Sequence, residues 1–423
     1  MKIAIVIDIY QDKGNGTSIS ARRFVEKLRD RGHQIVVLCT ESSETTDNNG
    51  ISIVEFPIKK IPIFQKMIES QHAILAQPDD DKIRKAFDGV DVVHIYMPFF
   101  LGTRCAVIAH EMKIPVLGCY HISAENITFN AGMKHLPGAT SATYRYLRKH
   151  HYDNGFIHDI HCPSRCIAGT AAKYHYIQNL HIISNGYDPN FRPISDAERP
   201  ENTNGKIIIT SVGRLTAEKR QDLIIRAIGK CKYNYKIVLY LAGKGPKKKY
   251  YEKLAEKYHV DLRFVFLNQS ELINLLNCSY LFIQASDVET ESISCLEAIA
   301  CGTVPIISNS GMCATKQFSL NKNSLFKKGS PHSLAKRINY WISKKEFHDE
   351  MTTQYAEFAK KFGIEHSIDS IIEVYNGLLS PKDGEYTIRD YNNALTLTVQ
   401  TDEHNRPKKE YRGILKKLNK LIR

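Results

Sequence analysis

The sequence predicts an α/β protein built from two doubly wound parallel domains. Its 423 residues are long for one domain and sufficient for two. Short apolar strand patterns alternate with helical patterns in both halves, which is typical of parallel sheets with helices on both faces. Between the halves, residues 188–204 are rich in Pro, Asn, Asp and Glu, a composition that predicts a linker.

The first half, residues 1–190, is predicted to be one domain. A helix is predicted over Thr17–Arg31, because apolar residues recur on one side of it and Gly32 follows as a stop signal. The apolar runs predict five strands, at Lys2–Ile9, Gln34–Leu38, Val90–Ile95, Pro115–Cys119 and Ile157–Cys162.

A second domain is predicted for residues 204–346. Residues 347–380 then predict one or two closing helices, and residues 381–423 predict a polar, irregular segment that ends in a basic tail. Doubly wound sheets bind ligands at the carboxyl ends of their strands, so two such domains facing each other predict an active site in the cleft between them. The predicted strands of the second domain are Lys206–Val212, Lys236–Ala242, Phe264–Leu267, Leu281–Gln284 and Val304–Ile307.

Composition narrows the choice of partners and compartment. The net charge of +13 favours an anionic partner: nucleic acid, an acidic membrane surface or a phosphorylated ligand. Nucleic acid is not expected, because no nucleic-acid-binding motif is recognisable. The apolar run before Asp8 is too short for a signal peptide and no run reaches eighteen apolar residues, so a cytoplasmic protein with at most peripheral membrane contact is expected. Ten scattered cysteines without a CxxC pair predict reduced core residues.

The segment Asp287–Ser308 contains the strongest chemical signal. Its Asp-Val-Glu turn follows a predicted strand and leads into a helix that ends at Gly302. Glu289 lies at the turn, and Glu297 lies about two helical turns further on. One carboxylate can accept hydrogen bonds from sugar hydroxyls and the other from a ribose diol, while the helix N-terminus between them suits a diphosphate. The Glu spacing alone also fits a solvated amphipathic helix; the continuation Ala-x-Ala-x-Gly-x-x-Pro makes the pattern specific.

This segment resembles the signature of the large retaining glycosyltransferase family numbered four, of GT-B fold. Other motifs of that family follow along residues 1–380. Gly213-Arg214-Leu215 with Glu218-Lys219, the turn Gly243-Lys244-Gly245-Pro246 and the junction Ser184–Asp188 are similar to its elements. In the first half, Asp8 with Asn15-Gly16 resembles the first strand and glycine loop, and His121 ends a strand where many members carry a histidine near the reaction centre. A lone histidine is otherwise more often structural.

The resemblance implies two facing Rossmann-like domains and a front-face reaction in which the leaving diphosphate helps to deprotonate the acceptor. Arg214 and Lys219 would hold the diphosphate. No metal or other cofactor is expected, since the nucleotide sugar is itself a co-substrate and Asp79–Asp81 is predicted to be a capping cluster. The implied catalytic residues are His121, Arg214, Lys219 and Glu289. The implied donor-binding residues are Gly16, Arg214, Lys219, Gly243, Gly245, Glu289, Ser292, Ile293 and Glu297, and those for the acceptor are Glu125 and Asn126.

Three positions depart from the family pattern and leave the donor open. Thr290 replaces a Gly after the first Glu, Arg220 replaces a Gly after Glu-Lys, and Asn268 replaces a Gly after a strand. UDP-glucose is the favoured donor, because the overall pattern most resembles bacterial glucosyltransferases that act on diacylglycerol. Enzymes that extend a lipid-linked or capsular polysaccharide share almost all of it. A non-catalytic sugar-nucleotide-binding homologue is a further alternative, against which the intact charged residues argue.

Two basic segments favour a membrane-associated acceptor at the inner face of the membrane. Residues 126–152 contain no Asp or Glu but seven Lys, Arg or His, interleaved with Tyr144, Tyr146 and Leu147. Arg406–Arg423 has eight Lys or Arg against one acid and places apolar residues on one helical side, which suits an interfacial helix on anionic lipid. A solvated basic helix is the alternative for each segment.

Overall fold

The computed structural model describes residues 1–12, 15–41, 50–60, 74–130, 132–133, 136–153, 155–203, 205–380 and 386–399. The chain forms two compact units. Met1–Asn185 and the segment from Ile364 onward make up the first unit, and Gly186–Gly363 make up the second. The predicted interfacial helix at Arg406–Arg423 lies outside the described residues. In the described part, no helix is long and apolar enough to cross a membrane.

The first unit is built on a nine-stranded sheet with the order β15-β14-β7-β6-β5-β4-β1-β2-β3. All neighbours pair in parallel except β14 and β15, which form an antiparallel pair. The strands are β1 Lys2–Val6, β2 Gln34–Thr40, β3 Ser52–Phe56, β4 Val92–Ile95, β5 Val116–Cys119, β6 Asp159–Cys162, β7 Asn179–Ile182, β14 Tyr386–Asp390 and β15 Leu395–Val399.

Helices cover both faces of this sheet. One face packs Ile5 and Leu117 against Phe24 of α1 and Ile368 of α13. The opposite face packs against α3 and α6, for example through Ala106. The helices of the first unit are α1 Gly16–Asp30, α2 Asp80–Ala86, α3 Phe100–Glu111, α4 Ala124–Asn130, α5 Ala139–Leu147, α6 Arg165–Lys173 and α13 Ile364–Leu379, with a π-helical turn at Arg148–Tyr152.

The second unit has a six-stranded parallel sheet with the order β10-β9-β8-β11-β12-β13. Its central strands are buried on both faces, as expected of a parallel sheet between helices. The strands are β8 Ile207–Val212, β9 Ile237–Ala242, β10 Asp261–Val265, β11 Leu281–Gln284, β12 Val304–Ser308 and β13 Leu325–Phe326. The helices are α7 Gln221–Ile228, α8 Lys248–Tyr258, α9 Gln269–Cys278, α10 Ile293–Ala300, α11 Pro331–Ser343 and α12 Lys345–Ala359.

The segment from residue 347 onward differs from the sequence-based expectation. The segment predicted to be irregular after residue 381 supplies two strands, of which β14 pairs with β7 and buries Ile388 in the core of the first unit. The predicted closing helices 347–380 separate: α12 packs on α10 in the second unit, whereas α13 packs on α1 in the first. Each helix buries its apolar side against a different core, so they do not form one closing segment.

The predicted linker is anchored in the second unit. Asn277 and Asn274 of α9 accept hydrogen bonds from the backbone amides of Ile194 (2.9 Å) and Glu198 (2.8 Å). Asn277 also donates to the carbonyl of Arg192 at 3.1 Å. Pro and polar residues therefore mark an irregular but hydrogen-bonded segment here. One predicted strand is displaced as well: Phe264–Leu267 lies across the end of β10, which begins at Asp261.

The cysteines agree with the expectation of reduced core residues. All ten are free, eight are buried, and Cys166 and Cys278 are half-buried. The acidic run at Asp79–Asp81 also has the predicted capping role. Asp79 caps α2 by accepting from the amide of Lys82, and Asp80 forms an ion pair with Arg104.

Candidate active site

Two glycine turns meet at the carboxyl ends of β8 and β9 in the second unit. Gly213 and Gly243 each have a φ of +147°, which favours glycine. A Cβ atom on Gly243 would lie 2.2 Å from the carbonyl oxygen of Gly213, and one on Gly245 would lie 2.5 Å from that of Leu215. These glycines therefore allow the loop after β8 and the loop after β9 to approach each other closely. A hydrogen bond joins the two turns: the amide of Leu215 donates to the carbonyl of Lys244 at 2.8 Å.

Both predicted phosphate-binding cations follow β8, and one of them, Lys219, contacts a predicted sugar-binding acid. The ammonium nitrogen of Lys219 lies 2.5 Å from Oε1 of Glu289. Gln284, at the end of β11, donates to the same carboxylate oxygen at 2.7 Å. Arg214 lies 3.6 Å from Oε1 of Glu218 and keeps 36% of its side-chain surface exposed. The structure thus brings Arg214, Lys219 and Glu289 together at neighbouring strand ends.

The helix predicted to face a diphosphate begins beside the same strand ends. Helix α10 starts at Ile293, and Ser292 before it adopts a left-handed backbone with φ +83°, an uncommon conformation for a residue with a side chain. Ser294 in the first turn donates to the carbonyl of Val212, the last residue of β8, at 3.4 Å. The amides of the first turn have no partner within an α-helix and carry partial positive charge. Glu297 lies on α10 and is buried.

The departures from the family pattern have separate structural settings. Arg220 has a φ of +54°, so a glycine would fit this position without strain. Its guanidinium instead forms ion pairs with Asp222 and Asp287, both at 3.1 Å. Asn268 caps α9 in a reciprocal capping box with Glu271. Thr290 has no positive φ, so its backbone places no demand for glycine.

In the first unit, His121 lies just past the end of β5 and is buried. Its ring stacks on that of Tyr96, with the ring centres 5.1 Å apart, and meets His161 edge-on at 5.2 Å. Burial lowers the pKa of His121 well below its usual value, and His161 adds to the effect. The imidazole is therefore neutral near pH 7. Its Nε2 is buried and has no hydrogen-bond partner among the described residues.

The other predicted residues of the first unit have less distinctive settings. Gly16 is the first residue of α1, whose N-cap Asn15 accepts from the amide of Thr17. A Cβ atom on Gly16 would have no described residue within 4 Å, so packing against the described part of the chain does not require glycine there. Glu125 accepts a hydrogen bond from the hydroxyl of Tyr144, which ties α4 to α5. The amide of Asn126 donates to the hydroxyl of Ser123 at 3.2 Å.

The basic stretch at 126–152 is only partly available as a surface. Arg145, Lys149 and His150 are exposed, together with Tyr146, which is 62% exposed. Arg148 instead forms an ion pair with Asp153 at 2.9 Å, so its charge is already paired within the first unit. His151 is also internal: it is buried against Thr103, and burial lowers its pKa to about 3. Lys134 and His135 lie outside the described residues.

Some contacting residues escaped the sequence analysis. Gln284 and Ser294 were not singled out, although each lies at a strand end or helix start next to the recognised motif. Tyr96 and His161, whose rings contact the ring of His121, are also not identified from the sequence. Gln284 could have been identified by its position at a strand end, and Ser294 by its position at a helix start. No local signal identifies His161, since it becomes a neighbour of His121 only through pairing of β5 with β6.

The second-unit arrangement is suited to binding a diphosphate and a polyol. Two cations and a helix N-terminus can stabilise negative charge that develops on a leaving group. A carboxylate shared by Lys219 and Gln284 retains lone pairs for hydroxyl donors.

Comparison with known proteins gives the same class. A family model described as Glycosyl transferases group 1 matches residues 194–362, and one described as Glycosyltransferase Family 4 matches residues 14–191. The chain belongs to glycosyltransferase family 4 and is a glycosyltransferase of GT-B fold.

Particular relatives share this class at low identity. The chain is 25% identical over 332 residues to alpha-monoglucosyldiacylglycerol synthase of Streptococcus pneumoniae, covering 73% of this chain and 71% of that protein. It is 24% identical over 317 residues to GDP-mannose-dependent alpha-mannosyltransferase of Corynebacterium glutamicum, covering 73% and 72%. The structure of Anabaena HepE in complex with UDP-glucose matches with a TM-score of 0.71 and 16% identity, over 89% of this chain and 100% of that one. At that identity the likeness shows the fold alone.

Proposed function

We propose that the protein is a retaining hexosyltransferase that moves glucose from UDP-glucose to a membrane-associated lipid acceptor such as diacylglycerol. The observation that carries the proposal is the cluster of Arg214, Lys219 and Glu289 beside the N-terminus of α10. Similarity to a protein named alpha-monoglucosyldiacylglycerol synthase supports a glucosyl group and a diacylglycerol acceptor. The acceptor preference also rests on the exposed basic side chains of the first unit.

In the proposed reaction, the bond between the anomeric carbon and the diphosphate oxygen breaks as the acceptor oxygen attacks the same face of the sugar. The acceptor proton passes to an oxygen of the leaving diphosphate. Arg214 and Lys219 stabilise the charge on the nucleoside diphosphate, helped by the α10 amides. Glu289 releases Lys219 to the diphosphate and accepts hydrogen bonds from sugar hydroxyls. No step requires a metal ion.

His121 would contribute a neutral hydrogen-bonding group. Its buried Nε2 is without a partner in the part of the chain that the structure describes, and a buried polar atom left in that state is costly. A hydroxyl of the bound sugar would satisfy it. Because the low pKa keeps the ring uncharged, His121 would orient the sugar without competing with Arg214 and Lys219 for the diphosphate. Glu297 would bind the ribose, and Glu125 with Asn126 would lie on the acceptor side.

Membrane association would bring the enzyme to its acceptor. Arg145, Lys149 and His150 are exposed next to Tyr146, an aromatic ring suited to a membrane interface. Each Lys or Arg near an anionic surface contributes roughly 1 kcal/mol at best, so several must act together. The basic tail from Arg406 would add to them. We therefore expect a peripheral protein at the cytoplasmic membrane face that high salt releases.

Vesicle co-sedimentation tests this association. The full chain should sediment with vesicles containing anionic lipid and be released at high salt. Neutralising Arg145 and Lys149 by alanine, or removing residues 406–423, should weaken binding. The control replaces Lys232 and Lys236 by alanine, two exposed lysines of the second unit. Equal sedimentation of the wild type with neutral and anionic vesicles, or equal loss in the control, contradicts the assignment.

A donor and acceptor panel tests the reaction itself. UDP-, GDP- and ADP-sugars are incubated with the protein and with diacylglycerol in vesicles, and transfer of labelled sugar to lipid is followed. Labelled glucosyl lipid from UDP-glucose is expected. The relative that uses GDP-mannose makes a mannosyl product the second candidate. Transfer only to a soluble or lipid-linked oligosaccharide would replace the diacylglycerol assignment with polysaccharide extension.

A further inference from the structure

Three polar side chains lie in the apolar interior of the first unit, on adjacent strands. His94 on β4, Cys119 on β5 and His161 on β6 are all buried. Nothing in the proposed reaction uses them. Their polar atoms nevertheless converge: Sγ of Cys119 lies 2.8 Å from Nε2 of His94 and 3.5 Å from Nδ1 of His161.

The outer ends of this cluster fix the direction of every hydrogen bond in it. The Nε2 of His161 lies 2.9 Å from the carbonyl oxygen of Ile183, which can only accept. Burial lowers the pKa of His161 to about 4, so the ring is neutral and its Nδ1 must accept. The thiol of Cys119 therefore donates to His161 and accepts from Nε2–H of His94. The Nδ1 of His94 then accepts from the hydroxyl of Tyr375 at 2.7 Å.

The result is a hydrogen-bonded chain in which each donor has one acceptor. It runs from Tyr375 on α13 through His94, Cys119 and His161 to the backbone carbonyl of Ile183. Burial raises the pKa of Cys119 well above its usual value, which keeps the thiol proton that the chain requires. Such chains inside a protein polarise their members and specify one arrangement of side chains.

The number of ligand-type groups disfavours a structural zinc site made of the same residues. Within the described part of the chain the group contains only these three residues, and a structural zinc site has four ligands.

The chain lies directly against the rings that hold His121. His161 meets His121 edge-on at 5.2 Å. Tyr96 stacks on the ring of His121, with only 8° between the planes, and itself packs on His94 at 4.8 Å. Of the two rings in contact with His121, His161 is thus itself a member of the hydrogen-bonded chain, and Tyr96 packs on another member, His94. A rotation of His94 or His161 would move a ring against which His121 rests.

We propose that the chain Tyr375–His94–Cys119–His161 positions the imidazole of His121 for contact with the substrate. The inference rests on the proposed function in assigning that contact to His121. These four are positioning residues, because none of them touches the substrate in the proposed reaction. Tyr375 lies on α13, the helix with which the polypeptide returns to the first unit. Through Tyr375, this helix contributes to the orientation of a reaction-centre residue.

Cysteine variants separate positioning from packing. Cys119→Ala removes both hydrogen bonds, whereas Cys119→Ser keeps a hydroxyl that can accept from His94 and donate to His161. Cys105→Ala is the matched control, because Cys105 is another fully buried thiol of the first unit and lies outside the chain. We expect Cys119→Ala to lower kcat by roughly tenfold with little change in the donor KM, since small misplacements of a reacting group are costly. Cys119→Ser and Cys105→Ala should remain close to the wild type.

A second pair of variants covers the case in which Cys119→Ala fails to fold. Tyr375→Phe deletes one hydroxyl at the far end of the chain. Tyr355→Phe deletes a hydroxyl that is equally buried in the second unit, where it bonds to Ser324 at 2.9 Å. Tyr375→Phe should lower kcat several-fold and Tyr355→Phe should not, although both should lower the urea concentration at the midpoint of unfolding.

Nitrogen NMR of histidine-labelled protein provides a readout that does not depend on turnover. His94 and His161 should both be neutral with the proton on Nε2, and the ring signals of His121 should shift in Cys119→Ala but not in Cys105→Ala. If the wild type transfers no sugar from any donor, the proposed function fails, and these spectra still decide the positioning. Failure of Cys119→Ser to restore kcat in a folded protein, equal damage by Cys105→Ala, or the opposite tautomers would overturn the inference.

Discussion

Replacing Lys219 by alanine tests the assignment of the diphosphate site. The ammonium group lies 2.5 Å from Glu289 at the end of β11, and only 23% of the Lys219 side chain and 11% of the Glu289 side chain are exposed. In the reaction this cation would stabilise charge that develops on the leaving diphosphate. Its loss would therefore affect the transition state more than the bound donor.

The expected magnitude follows from this setting. A preorganised charged donor in a partly buried site contributes on the order of 2–4 kcal/mol to transition-state stabilisation, which corresponds to roughly 30- to 900-fold in kcat. The fold should suffer less. Glu289 keeps its hydrogen bond from Gln284, so the loss of stability should stay within about 1–3 kcal/mol.

The assay measures steady-state transfer and urea unfolding for Lys219→Ala beside Lys206→Ala. Lys206 precedes the opposite end of β8 and forms an ion pair with Asp261, so its variant removes a comparable ion pair away from the site. Only Lys219→Ala should lose turnover, and Lys219→Arg should recover part of it. Full activity of Lys219→Ala, or an equal loss in Lys206→Ala, would refute the assignment.

Three further outcomes are expected. Transfer should persist in excess EDTA, and loss that magnesium or manganese restores would contradict this. Gly245→Ala should cost about 1–3 kcal/mol in urea unfolding, because its Cβ would lie 2.5 Å from Leu215, whereas Gly16→Ala should leave stability almost unchanged. Burial raises the pKa of Asp8 to about 6. Protonated Asp8 is therefore favoured in the folded state, and its contribution to stability should fall by up to about 3 kcal/mol between pH 4 and pH 6; the loss should be absent in Asp8→Asn.

Local sequence signals were sufficient for the central strands and for the donor motif. Leu281–Gln284 was predicted with the bounds that the structure has, because a short apolar run is followed at once by a turn. The convergence of Lys219 and Glu289 could be inferred because both follow adjacent parallel strands. Motifs at the carboxyl ends of neighbouring strands meet whatever the loop details are.

Long-range pairing explains most of what the sequence did not reveal. The strand Tyr386–Asp390 has a polar composition and forms because it pairs with β7, more than two hundred residues earlier, as in the hydrogen bond between Thr387 and Asn179. The requirement for glycine at position 243 is also non-local, since a side chain there would clash with Gly213 in the neighbouring loop. The same holds for His94 and His161, whose partners are set by the order of strands.

The stereochemistry of the product tests the central claim most directly. Purified protein, UDP-glucose and diacylglycerol vesicles are incubated, and the anomeric configuration of the glucosyl lipid is determined by proton NMR. Because the acceptor attacks the face that the diphosphate leaves, the α-configuration of the donor should be kept, giving α-glucosyldiacylglycerol. A β-linked product would contradict the proposed front-face reaction, and release of free glucose without any glucosyl lipid would contradict the lipid acceptor.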